Sequence, residues 1–190
     1  LVGLLVPLAA QINLWNEIHD GGTEMAFSGS LVVDEFALYV KFLILAVLAL
    51  VVLAGSDYVE RFKPYQAEFL GLVYFSAVGL MLLPAAGNLI TLYVSLELAS
   101  LPIIALAAFS KTEVRSTEAG MKYLVLSAIS SAVLLYGFAF LYAATGTVQL
   151  VPAAAGDPTI GTILAAGGDS SAFGGVAVLV GAVLVAAGLG

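Results

Sequence analysis

Cysteine is absent from the 190 residues, histidine occurs once, and charged residues make up only 10% of the chain. Without cysteine there is no thiolate for an iron–sulfur cluster or a zinc site, no disulfide and no thiol nucleophile. His19 alone cannot supply a bis-histidine haem or a three-histidine zinc site, and it reads as an ordinary loop residue. Neither a Gly-Lys dipeptide nor a Gly-x-Gly-x-x-Gly run is present, which excludes a P-loop and a dinucleotide-binding turn. Six basic residues against thirteen acids, a net charge of −7 and a pI near 4.4 speak against nucleic acid as a partner. The chain is therefore expected to work with no cofactor or metal of its own.

What is present is mostly apolar. The hydrophobic share is 62% and the mean hydropathy +1.10, whereas soluble domains run at about 45–50% apolar and about 25% charged. So little polar surface cannot cover a body in water, so the bilayer is the expected solvent. The expected fold class is all-α, a polytopic transmembrane helix bundle with no separate soluble domain.

The apolar runs divide at polar and Pro/Gly-rich stretches. Residues 1–11 contain no basic n-region of a signal peptide, and ten residues of helix rise only about 15 Å, half of a hydrocarbon layer of about 30 Å. They read as the tail of a truncated span. Further spans are expected at 36–56, 68–85, 88–109, 118–144 and 172–190. The run 68–110 is too long for one crossing and is expected to fold back at Pro84-Ala85-Ala86-Gly87-Asn88. Loops 12–35 and 145–171 then lie on one side, with the tight turn at 86–88, and loops 57–67 and 110–117 on the other. With no opening Met and no Trp, Tyr, Lys or Arg to anchor the uncharged run Ser170–Gly190, the chain is expected to be part of a longer protein.

Loop charge sets an orientation. Arg61, Lys63, Lys111 and Arg115 all fall in 57–67 and 110–117, while the opposite loops hold no lysine or arginine and seven of the 13 acids. By the positive-inside rule the basic loops face the cytoplasm or its equivalent. In the last span Gly174, Gly175, Gly181 and Gly188 are spaced to let helix backbones approach closely.

Three charges remain inside the spans: Lys41, Glu97 and Lys122. Lys41 lies shallow beside Asp34 and Glu35 and is expected to snorkel. Lys122, also shallow, has an ordinary structural explanation as an i,i+4 partner of Glu118. Glu97 is different, about nine residues or roughly 13 Å from the outer end of its helix. A carboxylate at that depth costs about 2.5 kcal/mol or more and usually faces a bundle interior or a wet cavity. Tyr93 and Ser100 fall on the same side of the helix, and Pro102 removes the donor for the Leu98 carbonyl. A carboxylate with hydroxyls and a free carbonyl could be bridged by water, as a proton path requires. The structural alternative is a protonated Glu that only pairs helices.

The strings that carry these charges, Leu92-Tyr93-Val94-Ser95-Leu96-Glu97-Leu98-Ala99-Ser100-Leu101-Pro102 and Ser116-Thr117-Glu118-Ala119-Gly120-Met121-Lys122-Tyr123, together with Ser130-Ser131-Ala132-Val133-Leu134-Leu135-Tyr136-Gly137, resemble the antiporter-like subunit N (subunit 2) of proton-pumping NADH-quinone oxidoreductase, respiratory complex I. The resemblance runs from about Leu31 to Gly146 and more weakly to Gly190; residues 1–30 carry no matching motif. It implies part of a roughly fourteen-helix transmembrane bundle in the bacterial inner membrane. Other membrane subunits of the complex and the lipid bilayer would be its partners. NADH, FMN, iron–sulfur clusters and quinone would belong to other subunits. It also implies that Glu97 pairs with a seventh-helix lysine placed beyond Gly190 and that Lys122 lies on the same polar axis. Glu97 and Lys122 are thus the expected proton-translocation residues, with Tyr93, Ser100, Pro102 and Glu118 supporting. Two alternatives stay open: a subunit of a cation/proton antiporter without a redox partner, and a membrane scaffold without transport.

Overall fold

The computed structural model describes residues 2–18, 22–60, 63, 65–154, 156–166 and 172–189; His19 lies outside them. In chain order the elements are α1 (Val2–Ile18), β1 (Glu24–Ala26), β2 (Leu31–Val33), α2 (Glu35–Ala54), α3 (Ser56–Val59), α4 (Gln66–Leu82), a 3-10 turn (Leu83–Ala85), α5 (Leu89–Ala107), α6 (Val114–Thr145), α7 (Ile160–Ala165) and α8 (Ala172–Leu189). The architecture is an all-α transmembrane bundle with one small hairpin. Among the described residues, four helices are long and apolar enough to cross a bilayer: Glu35–Ala54, Gln66–Ala85, Leu89–Ala107 and Val114–Thr145.

Local chemistry explains the boundaries. Asp34 starts α2 by accepting the Ala37 N–H at 2.7 Å, and Asn88 starts α5 by accepting that of Thr91 at 2.7 Å, each satisfying an N–H that the first turn leaves open. Between α4 and α5 the chain reverses in the 3-10 turn that contains Pro84. Gly146, at φ +70°, ends α6 in a left-handed conformation that glycine adopts without steric cost.

Several boundaries differ from expectation. The first helix continues to Ile18, so residues 12–18, expected as loop, are helical; Ile18 is 1% exposed, and its burial holds the last turn in place. The rest of that stretch is not all irregular either, since β1 and β2 pair antiparallel with Met25 opposite Val32. Its turn passes through Phe27, Ser28 and Gly29, all at positive φ. The loop 57–67 overlaps the short α3, and loop 145–171 contains α7, whose first turn is closed by reciprocal Thr159–Thr162 bonds. α6 begins at Val114, four residues before the expected 118, because Arg115, Glu118 and Lys122 can extend a helix into water.

Helices adjacent in sequence pack side by side. Leu4 of α1, Leu45 and Leu48 of α2 and Ala77 of α4 form one buried cluster. Leu89 of α5, Leu134 and Phe138 of α6 and Ile160 of α7 form another. The α6–α8 seam is made by small residues: a Cβ on Gly137 would lie 2.8 Å from the Val185 nitrogen, and one on Gly188 2.7 Å from the Leu134 nitrogen. Backbones meet there at distances only glycine permits.

The loops gather at two ends. At one, the Gly87 N–H donates to the Ser30 carbonyl at 2.9 Å, Leu89 to Val148 at 2.9 Å and Leu150 to Gly87 at 2.9 Å. These bonds tie the hairpin, the α4–α5 turn and the segment after α6 into one cap. At the opposite end Phe69 stacks edge-on to Phe109 at 5.3 Å. Gly120 there packs against Ala108, closing the turn that carries Lys111.

Candidate functional site

The central part of the bundle is built on α5 and α6. Glu97 lies near the middle of α5 and points across to α6, where the Ser131 hydroxyl donates to its carboxylate oxygen Oε1. The phenol of Tyr93, one turn earlier on α5, engages the same carboxylate. The carboxylate is half-buried and is held from α6 by the Ser131 hydroxyl. Hydrogen bonds to a charged group stabilise by about 1.5–3 kcal/mol, a substantial offset to the cost of the charge at this depth.

Ser100 takes a different role from the one expected. Its hydroxyl donates to the backbone carbonyl of Glu97 at 3.3 Å rather than to the carboxylate, because a serine three residues further on reaches the peptide more easily than a side chain leaning toward the helix N-terminus. The hydroxyl that does reach the carboxylate, that of Ser131, was not singled out as a site residue. Its signals in the sequence are a Ser-Ser pair in the middle of an apolar run and the place of that pair in one of the strings that carry the resemblance.

Pro102 is buried inside α5, and the turn it loosens is supported from α4. Ser76 donates to the Ala99 carbonyl at 2.8 Å in a buried position. A Cβ on Gly79 would lie 2.3 Å from the Ala99 nitrogen, so α4 presses its backbone against this turn. α5 thus has two polar faces: Asn88, Ser95 and the Ala99 carbonyl toward α4 and the cap, and Tyr93 and Glu97 toward α6.

Lys122 does not come near Glu97. It pairs with Glu118 at 2.6 Å, and both side chains are more than half exposed. Nine residues separate it from Ser131, roughly 13 Å along α6 and on the opposite side of that helix. From Thr145 it is about 35 Å away, more than a hydrocarbon layer of about 30 Å, which puts it at the basic end. Lys41 is half-buried on α2, within the field of the Asp34 carboxylate. Among the described residues no three His, Asp or Glu side chains converge as metal ligands.

Toward the cap, beyond the Tyr93 phenol, the site gives way to hydrocarbon. Leu134 and Phe138, one and two turns beyond Ser131, pack with Leu89, Leu92 and Ile160. Toward the basic end the next residues on the facing sides are hydroxyl-bearing, Ser100 on α5 and Ser127 on α6. The carboxylate therefore lies at the boundary between an apolar layer and a polar approach.

A membrane helix bundle with an interhelical carboxylate at mid-depth is the class of protein that fold and site define. Residues 86–189 match the family described as NADH:quinone oxidoreductase/Mrp antiporter, TM, and the chain belongs to that family. Its relatives include NADH-quinone oxidoreductase subunit N of Desulfitobacterium hafniense, 44% identical over 68% of this chain and 26% of the relative. The subunit N of Jannaschia sp. is 39% identical over 88% of this chain and 32% of its own length. Among solved structures, respiratory complex I from Thermus thermophilus with bound aureothin matches at 30% identity and TM-score 0.62, over 95% of this chain and 36% of that one. A membrane-bound sulfane sulfur reductase, an archaeal respiratory membrane complex, shares the fold at TM-score 0.71 and 23% identity. The chain thus spans about a quarter to a third of the curated relatives it matches. It is an integral membrane protein.

Proposed function

We propose that this chain is the part of a subunit N of NADH-quinone oxidoreductase that holds one mid-membrane proton-carrying group, Glu97. The observation that carries the reading is the carboxylate shared between α5 and α6 through Ser131, at a depth where a charge is expensive and seldom present without a function. The names of the relatives support the oxidoreductase over an antiporter without a redox partner, which the family description alone leaves level.

In this reading the redox chemistry, with NADH, FMN, iron–sulfur clusters and quinone, belongs to other subunits. This stretch has neither the thiolates nor the histidines to hold a cluster or a haem. Its own contribution is electrostatic. A cation brought near Glu97 favours the ionised carboxylate, and withdrawing the cation into a low-dielectric surround favours the protonated acid. Alternating between the two takes up and releases one proton. The hydroxyls below Glu97 provide uptake from the basic, cytoplasmic end, and release crosses the apolar layer toward the cap. The partners are the other membrane subunits, whose movement supplies the change in charge.

Glu97→Gln in the full-length subunit within the assembled complex is the direct test. Proton pumping into membrane vesicles should fall several-fold while the redox arm stays assembled on native gels. Normal pumping by a fully assembled variant would overturn the reading and favour a scaffold.

A further inference from the structure

Some hydroxyl groups on these helices reach a neighbouring helix, as Ser76 and Ser116 do at the α5 carbonyls of Ala99 and Ala107, and others bond within their own. Ser95 donates to the Thr91 carbonyl at 2.7 Å and Thr145 to that of Leu141 at 2.8 Å, each bonding the carbonyl four residues back in its own helix. Ser131 crosses to a side chain rather than to a backbone carbonyl, donating to the Glu97 carboxylate. It does so midway along α6, 17 residues from Val114 and 14 from Thr145, level with the centre of α5. Its next turn toward the cap is Leu134, 3% exposed, followed by Phe138 at 8%, so no polar group on that side of α6 competes for the same carboxylate oxygen.

We propose that Ser131 is a positioning residue for Glu97, a role that rests on the function assigned above to that carboxylate. Its hydroxyl anchors the carboxylate to α6, at the foot of the apolar layer. There Oε1 is held from α6, with the Tyr93 phenol of α5 beside the same carboxylate. A lysine that comes to Glu97 must share the carboxylate with this hydroxyl or displace it. The Ser131 bond therefore gives the carboxylate a defined resting position to which it returns when the cation withdraws. Only a hydroxyl on this face can do this. An alanine leaves the carboxylate free to swing toward Ser100 and the basic end, whereas a threonine keeps the same Oγ.

The test uses the full-length subunit in the intact complex, with Ser131→Ala, Ser131→Thr and Glu97→Gln compared. The readouts are pumping and the carboxylic acid C=O stretch in reaction-induced infrared difference spectra, the Glu97 band being the one that Glu97→Gln removes. Ser131→Ala should lower pumping several-fold and move that band to higher frequency, since a C=O freed from a donor stiffens. Ser131→Thr should restore both. Unchanged pumping and band position in Ser131→Ala, with pumping lost in Glu97→Gln, would overturn the role of Ser131 and leave that of Glu97 standing. Loss of assembly in both Ser131 variants would also overturn it, showing a packing role. Full pumping by Glu97→Gln would remove the function of Glu97 itself, and the positioning role with it.

Discussion

At the scale of single residues, the charged groups divide by depth. Glu97 and Lys122 both stand in apolar surroundings in the sequence, but the bundle separates them: Glu97 is joined to α6 through Ser131, and Lys122 is joined to its own helix through Glu118. Exposed i,i+4 pairs contribute about 0.3–0.5 kcal/mol, so Lys122→Ala should leave the melting temperature of the purified complex nearly unchanged. If Lys122 lies on the proton path, as the resemblance implies, pumping should fall in the same variant. Pumping at the parental rate would reduce Lys122 to a solvated partner of Glu118. Asn88 makes a clearer stability case, because its side chain both caps α5 and donates to Ser30 Oγ at 3.2 Å. Asn88→Ala should cost about 1 kcal/mol and appear as a lowered melting temperature, with pumping retained.

Among elements, close approach decides more than hydrophobicity. All the long helices are apolar, and large side chains such as Leu50, Leu126 and Ile129 are more than half exposed on their outer faces. A lipid-facing leucine and a packed one look alike to the bilayer. What distinguishes the α6–α8 seam is Gly137, Gly181 and Gly188, and what distinguishes the α4–α5 seam is Gly79. Gly188→Leu would put its Cβ 2.7 Å from both the nitrogen and the Cβ of Leu134 and force the helices apart, a strain of about 1–3 kcal/mol. The variant complex should lose thermal stability, whereas Gly175→Leu, whose Cβ meets nothing within 4 Å, should not. Equal losses in the two would contradict this packing.

For the molecule as a whole, the two ends differ in charge and in construction. The cap end is cross-linked by backbone bonds among three separate segments and its loops carry no lysine or arginine; the opposite end carries Lys63, Lys111 and Arg115. The absence of cysteine makes the orientation simple to test in a full-length subunit free of other cysteines. Thr112→Cys should react with a membrane-impermeant maleimide only from the cytoplasmic face, and Ala154→Cys only from the outer face. Both residues are exposed. Reaction of both from one face would contradict the two-ended arrangement, and the reverse pattern would invert the bundle.

Much of this protein is determined by one-dimensional properties. The share of apolar residues selects the bilayer, the spacing of polar breaks locates the turns near Pro84 and Gly146, and the four basic residues Arg61, Lys63, Lys111 and Arg115 fall in two loops only. Each depends on transfer free energy or local backbone geometry, which a residue carries with it wherever it is placed. The hairpin at 24–33 and the extension of α1 to Ile18 were not legible in this way, because the hairpin is tied to the α4–α5 turn through Ser30 and the buried Val32, and the last turn of α1 is held by the burial of Ile18. Nor was the environment of Glu97. That Ser131 rather than Ser100 meets its carboxylate, that Ser76 supports the turn loosened by Pro102, and that Leu134 and Phe138 pack beyond the site toward the cap all depend on which faces of α4, α5 and α6 meet. With nearly uniform apolar surfaces, those faces are selected by the few glycines that let backbones touch, and only the tertiary structure shows which residues they bring together.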